Sequence, residues 1–160
     1  MVLSKSQKNA IIDEFENWRD SMYAGKTLEE RQKLGAFFTP PELTIQMLEK
    51  FENLDGKILD PAMGAGNLLA AAIKAGADPK NIYGIELDSE ILKIGADRLS
   101  SLGVPSENIH LGNALNEDCY HFSTDYSFKP DEGENGTVFL NGKPKNRIKK
   151  MTLSQFGVRL

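Results

Sequence analysis

Acidic residues and glycines stand close together between residues 60 and 86. Asp60 follows the apolar residues of "KIL", and Gly64 and Gly66 come soon after it. Glycines let the backbone approach a ligand closely, and a carboxylate at a strand end can accept hydrogen bonds or face a cation. Glu86 ends a second apolar run, 26 residues after Asp60. A carboxylate at that place is typical of sites that hold the two hydroxyls of a ribose.

The details of this turn favour a ligand without phosphates. A nicotinamide site needs G-x-G-x-x-G, but the turn reads G-A-G-N-L-L, with Leu69 in place of the third glycine. Asp60 would also repel a pyrophosphate. S-adenosylmethionine carries an ammonium, a sulfonium and a ribose, so the residues predict this cofactor and disfavour a nicotinamide-dependent oxidoreductase. A purely structural strand-to-helix turn is the alternative for this segment, and a solvated strand end is the alternative for Glu86.

Cys119 and His121 are two possible metal ligands that lie close together in the sequence. Two ligands on a predicted loop do not make a closed zinc site, so no metal is predicted. With one cysteine in the chain, an intramolecular disulfide is excluded.

The elements that must position these residues alternate between strand and helix. Strands are predicted at "KILD", "NIYGIEL" and "ENIHLG", with helices from Asn67 to Ala75 and from the cap Asp88 to about Gly103. This alternation favours right-handed crossovers and a parallel sheet. The predicted class is α/β, with N-terminal helices followed by an incomplete Rossmann-like parallel sheet.

The first 51 residues predict three helices. The first has one apolar face, the second begins with a Thr27–Glu30 capping box and ends near Gly35, and the third has Thr39 as its N-cap and Pro40 in its first turn. The apolar face of the first helix contains Ile11, Phe15, Trp18 and Met22. The buried stripe of the third helix contains Leu43, Met47, Leu48 and Phe51.

The chain divides by composition into three segments, 1–35, 36–115 and 116–160. The predicted loop at 116–136 has six acidic residues and one lysine, "TVFL" could form a strand, and 141–160 has six Lys or Arg residues and no acid. The overall charge of -4 does not indicate a nucleic-acid polycation. There is no apolar stretch long enough to span a membrane and no apolar signal core, so an intracellular, reducing compartment is the predicted location.

Four segments in order carry a family resemblance: "GAFFTPPELTIQML", "ILDPAMGAGNLL", "YGIELD" and "LGNAL". They resemble successive motifs of the class I methyltransferases that modify adenine N6 in DNA, including amino-methyltransferases of restriction-modification systems. The resemblance covers roughly residues 30–115. It implies an S-adenosylmethionine-binding α/β domain at 36–115 and DNA as a partner. It also implies a location in the cytoplasm of a bacterial, archaeal or phage-infected cell.

The resemblance also implies roles for ten residues. Phe38, Thr39 and Pro40 would close over the methionine end of the cofactor, and Asp60, Ala62, Gly64 and Gly66 would line its methionine and ribose. Glu86 would hold the ribose hydroxyls, Leu87 would lie beside the adenine ring, and Asn113 would meet the adenine amino group. Locally, Phe37–Pro40 could instead be a helix cap with two core aromatics.

The catalytic D/N-P-P-Y/F motif of this family does not occur in the 160 residues. Asn141, after "TVFL", is a weak candidate for its strand end, but Asn-Gly at 141–142 predicts a hairpin or loop turn. Three interpretations stay open. The chain is a fragment or subunit whose catalytic motif lies on a second polypeptide, a catalytically inactive cofactor-binding or interaction protein, or a methyltransferase acting on RNA or protein.

Overall fold

The computed structural model describes residues 1–30, 38–115, 121–123, 126–129, 137–140, 143–147 and 149–150. Helix α1 spans Lys5–Tyr23 and begins with a capping box, in which Ser4 and Gln7 satisfy each other's backbone N–H groups. Ile11 is buried in the core, and the other three residues of its predicted apolar face are partly exposed.

The Thr27–Glu30 capping box is confirmed, because each residue's side chain accepts the other's backbone N–H. Residues 28–30 are helical, and the predicted helix end at Gly35 lies outside the described residues.

Helix α2 spans Pro41–Leu48, and its predicted N-cap is wrong by one position. Pro40 is the N-cap, and no side chain caps the helix. The fixed φ of Pro41 suits the first helical position, which moves the start one residue beyond the Thr39 prediction. Leu43 is exposed, whereas Thr44 and Ile45 are buried, so the predicted stripe is also partly wrong. Met47 and Leu48 are buried as predicted.

The predicted alternation of strands and helices is confirmed from residue 58 to residue 111. Two 3-10 turns, Pro79–Asn81 and Ser106–Asn108, lead into the second and third strands. The elements in order are β1 (Ile58–Asp60), α3 (Asn67–Lys74), β2 (Ile82–Glu86), α4 (Ser89–Ser101) and β3 (Ile109–Leu111).

These three strands form a parallel sheet in which β2 lies between β1 and β3. The register pairs Asp60 with Gly84 and Glu86 with Leu111, so the carboxyl ends of all three strands lie at one edge. The predicted α/β class is therefore confirmed.

The region after residue 115 contains the strand predicted at "TVFL", together with further strands where a loop and an unstructured tail were predicted. Four short strands form an antiparallel sheet in chain order. They are β4 (His121–Ser123), β5 (Tyr126–Lys129), β6 (Thr137–Leu140) and β7 (Lys143–Arg147). Strand β8 (Lys149–Lys150) lies parallel to β1, which makes the order of the main sheet β3-β2-β1-β8. Within these short strands, apolar and polar residues do not alternate long enough to give a clear pattern.

Strands β6 and β7 pair antiparallel on either side of residues 141 and 142, as the hairpin interpretation predicted. The place beside β1 belongs to β8, so β6, the strand before Asn141, is not part of the parallel sheet. Asn141 itself lies outside the described residues, and its catalytic role stays a prediction.

The core lies between the sheet and the helices, with Leu48, Leu69, Ile82 and Leu99 fully buried. On the sheet, Phe122 of β4 is buried and packs against the rings of Tyr83 and His110 at centroid distances of 5.2 and 4.2 Å. In the described part of the chain, no helix has both the length and the apolar character needed to cross a bilayer.

Two glycines allow the turn after β1 to pack closely against its neighbours. A Cβ on Gly84 in β2 would collide with Met63 Sδ. A Cβ on Gly95 in α4 would lie 2.7 Å from the carbonyl oxygen of Gly64 and 3.0 Å from Met63 Cε. The residues at 84 and 95 therefore determine how near the turn lies to β2 and α4.

We predict that Gly95→Ala lowers the free energy of unfolding. Alanine gains about 1 kcal/mol in helix propensity over glycine. Overpacking against a backbone carbonyl costs about 1–3 kcal/mol, so the clash should outweigh the gain. Urea unfolding would measure the change, with Ser100→Ala at an exposed position of the same helix as the control. A Gly95→Ala midpoint clearly above that of the parent would contradict the close packing.

Candidate cofactor-binding site

Asp60 places a buried carboxylate at the carboxyl end of β1. Its side chain is only 9% exposed, and its Oδ1 accepts the Ala62 N–H at 3.0 Å. Burial raises the pKa of Asp60 to about 6, against the opposing effect of the Ala62 hydrogen bond, and the nearby Glu86 raises the pKa further. A carboxylate held in this way is stabilised by a positively charged group placed beside it.

The turn between β1 and α3 depends on two glycines in left-handed backbone conformations. Gly64 has φ 55° and Gly66 has φ 77°. Gly66 is the N-cap of α3 and donates its N–H to the Met63 carbonyl at 2.8 Å. L-residues with side chains adopt this region at a cost, which explains why the sequence has glycine at these positions. The turn directs the N-terminus of α3 toward the same edge as Asp60.

Glu86 connects the glycine turn to the end of β2. Its Oε2 accepts the Gly64 N–H at 2.8 Å, and its Oε1 accepts the N–H groups of Leu87 and Asp88 at 2.8 and 2.9 Å. These contacts are structural, so the role of Glu86 at a ribose stays a prediction. The carboxylate fixes the distance between the two strand ends through hydrogen bonds to backbone on both sides.

Leu87 and Asn113 lie at the same edge, after β2 and β3. Leu87 is 68% exposed at this edge. The Asn113 Oδ1 accepts the Leu115 N–H at 3.0 Å and so shapes its own loop. The Gly112 N–H donates to the Glu86 carbonyl at 2.8 Å, which brings this loop against the end of β2.

The segment from Phe38 to Pro40 reaches the glycine turn through one hydrogen bond. Asn67, the first residue of α3, is buried and donates from Nδ2 to the Thr39 carbonyl at 3.4 Å. Phe38 contacts the ring of Trp18 edge-on, at a centroid distance of 5.1 Å. The structure therefore places this segment beside the turn, with α1 on its other side.

Sequence reasoning missed three residues that surround the turn: Glu14, Asn67 and Arg98. Arg98 is buried, and its guanidinium bonds to Glu14, to the Ala65 carbonyl and to Asn67. Charged residues are usually exposed, so Arg98 was given no role. The available signal was its spacing, because Arg98 lies four residues after Ile94 and seven after Ile91, on the same face of the helix.

The structure thus gathers nine of the ten residues for which the resemblance implied a role into one region, linked by the contacts above. They are Phe38, Thr39, Asp60, Ala62, Gly64, Gly66, Glu86, Leu87 and Asn113. Pro40, the tenth, is the N-cap of α2 beside them, and its carbonyl accepts from Thr44. Cys119 lies outside the described residues.

Comparisons with known proteins agree with these motifs. A family model described as N-6 DNA Methylase matches residues 11–129. The type II methyltransferase M.VspI of Vibrio sp. (strain 343) is 37% identical over 82 residues, which are 49% of this chain and 20% of that protein. The aligned part spans about a fifth of the length of this curated relative. No solved structure gives a significant match.

We predict that Asp60→Asn stabilises the protein at pH 8. The folded-state pKa of Asp60 is raised from 3.8 to about 6, so the folded state holds its proton more tightly than the unfolded chain. The parent should therefore lose stability as the pH rises from about 4 to 6, by up to about 3 kcal/mol. Asparagine keeps the acceptor for Ala62 and removes this loss.

Urea unfolding at several pH values would measure the effect. The two proteins should be nearly equally stable below pH 4 and differ most above pH 6. Asp55→Asn, at an exposed position, controls for the change in net charge. A parent protein whose stability rises relative to Asp60→Asn over this interval would contradict the buried state of Asp60.

Proposed function

Because the chain belongs to the N-6 DNA methylase family, we propose that it binds S-adenosylmethionine at the shared edge of β1, β2 and β3. The observation that carries the proposal is the buried carboxylate of Asp60 beside a glycine turn that Glu86 holds in place. When bound, S-adenosylmethionine supplies a methyl group activated for transfer. The proposed acceptor is N6 of adenine in DNA.

The charge of the site fits this cofactor. Asp60 is buried and has a pKa raised to about 6, so a cation nearby would favour its charged form. The ammonium and the sulfonium both provide such a cation, and the cofactor has no phosphate to be repelled. We propose that Asp60 faces this positive end, with Ala62, Gly64 and Gly66 forming the wall beside it.

Glu86 is the proposed ligand of the ribose hydroxyls. A carboxylate offers about four acceptor positions, and three backbone N–H groups use it in this structure. Two hydroxyls need two acceptor positions, so cofactor binding should weaken or release one of these bonds. Of the three donors, only the Gly64 N–H belongs to the glycine turn. If a ribose hydroxyl replaced this N–H at Glu86, ribose binding would be coupled to the position of the turn.

The adenine ring of the cofactor has two proposed neighbours. Leu87 is exposed at the strand end and offers an apolar surface for one face of the ring. Asn113 can still accept from the adenine amino group, because a carbonyl oxygen has a second lone pair beside the one used by Leu115. Phe38, Thr39 and Pro40 are proposed to cover the methionine end, as the resemblance implies.

Methyl transfer needs catalytic groups besides the cofactor, and the motif that supplies them in this family does not occur in these 160 residues. A target base in duplex DNA has to be flipped out, stacked and aimed at the methyl group, and the family uses D/N-P-P-Y/F for this. We propose that a second polypeptide carries that motif, and that the six Lys or Arg residues of 141–160 contact DNA phosphates. Because the proposed substrate is cellular DNA, the cytoplasm is the proposed location.

A second candidate function is cofactor binding without transfer. The lack of the motif in these residues fits this candidate as well as it fits a motif on a second polypeptide, because a protein that only binds cofactor needs the Asp60–Glu86 edge and not the motif. The two candidates differ only in whether another polypeptide restores methyl transfer.

We predict that the protein binds S-adenosylmethionine more weakly at pH 5 than at pH 7.5. Asp60 must be ionised to face a cation, and one pH unit below a pKa of about 6 only about a tenth of the molecules are ionised. Titration calorimetry should therefore show roughly tenfold weaker binding at pH 5. Near pH 6, binding should release protons, visible as a heat that depends on the buffer.

Asp60→Asn should bind weakly at both pH values and release no protons, whereas Asp55→Asn should behave as the parent. Undiminished binding by Asp60→Asn would reject Asp60 as the group that faces the cofactor.

We predict that the 160-residue chain alone transfers no labelled methyl to unmethylated DNA. Addition of the product of an adjacent reading frame that contains D/N-P-P-Y/F should produce transfer, and that product alone should give none. The same mixture containing Asp60→Asn in place of the parent should lose most of the activity. Transfer by the pure chain would show that its catalytic groups lie elsewhere in its sequence.

A further inference from the structure

The guanidinium of Arg98 is buried and forms a two-pronged ion pair with Glu14. Its Nε donates to Glu14 Oε1 at 2.9 Å and its Nη2 to Oε2 at 2.6 Å. The Arg98 side chain is 2% exposed and that of Glu14 is 12% exposed. This pair joins α4 to α1, two helices far apart in sequence.

The third nitrogen of the same guanidinium points at the glycine turn. Arg98 Nη1 donates to the Ala65 carbonyl at 3.3 Å and to Asn67 Oδ1. Asn67 in turn donates from its Nδ2 to the Thr39 carbonyl. A continuous set of hydrogen bonds therefore runs from Glu14 through Arg98 and Asn67 to the Phe38–Pro40 segment.

A parallel set of ring contacts follows the same route. The guanidinium carbon of Arg98 lies 3.9 Å from the centroid of the Trp18 ring, which is close enough for a cation–π contact. Trp18 also contacts the ring of Phe38, edge-on. Phe38 and Thr39 are thus each connected to Arg98 through one intermediate residue.

We propose that Arg98 is a positioning residue that holds the Phe38–Pro40 segment over the glycine turn, through Asn67 and Trp18, in the arrangement that binds cofactor. The proposal rests on the proposed function for the identity of the cofactor, S-adenosylmethionine. The placement of the segment rests on the contacts of Arg98, Asn67 and Trp18.

The alternative role for Arg98 is a structural ion pair that fastens α1. A structural ion pair of this kind requires only the two hydrogen bonds from Arg98 to Glu14. The bonds to Ala65 and Asn67, and the position of Trp18 between Arg98 and Phe38, place the remaining donor and the face of the guanidinium toward the site. Lysine keeps the charge but has no planar fork, so it cannot make all these contacts together.

Two variants test the proposal. Arg98→Lys removes the fork, and Asn67→Ala cuts the link to Thr39 while leaving the Glu14–Arg98 pair in place. Both should bind S-adenosylmethionine on the order of tenfold more weakly in calorimetry. Both should also show faster amide hydrogen exchange at residues 38–48 in the cofactor-free protein, with unchanged exchange in β2.

Ile82→Val is the matched control, because Ile82 is fully buried at the end of β2 away from the site. It should lower stability without changing affinity or exchange at 38–48. The proposal is overturned if Asn67→Ala binds as the parent does, or if affinity falls without faster exchange at 38–48.

Failure of the proposed cofactor can be told apart from failure of this inference. If the parent protein binds no S-adenosylmethionine, the proposed function is rejected, and exchange at 38–48 alone then decides the role of Arg98. Faster exchange in both variants would support positioning of the segment. Unchanged exchange would overturn it.

Discussion

The hydrogen bond from the Gly64 N–H to Glu86 is the constraint on which the arrangement of the site depends. It connects the turn after β1 to the end of β2, and the carbonyl of the same Gly64 lies against Gly95 of α4. One glycine thus contacts a carboxylate on one side and a helix on the other. Residues 84 and 95 leave room for the turn because they have no Cβ, and residue 64 adopts its φ of 55° easily because it is glycine.

Most of the central fold could be predicted from the sequence because its signals are local. The residues from Ile58 to Leu111 alternate between apolar runs and capped helices, and each boundary has a glycine, proline or aspartate with a specific backbone preference. Asp60 and Glu86 could be predicted to lie together for the same reason, since parallel strands place their carboxyl ends at one edge.

The parts that could not be predicted depend on contacts between distant residues. The start of α2 moved by one residue because Pro41 competes with Thr39 for the first turn, and both are valid signals. The burial of Arg98 requires Glu14, and no local pattern shows that a helix 84 positions away supplies a partner. The short strands after residue 120 take their pairing from neighbours rather than from their own pattern.

The separation of Glu14 and Arg98 also affects the order in which the protein folds. Contacts between residues close in sequence form at a small loss of chain entropy, whereas this pair closes a loop that includes α2, β1, α3 and β2. Strand pairing of β1 with β2 needs a much shorter loop. The central sheet is therefore expected to assemble before α1 docks, so the segment over the glycine turn reaches its final place among the last steps of folding.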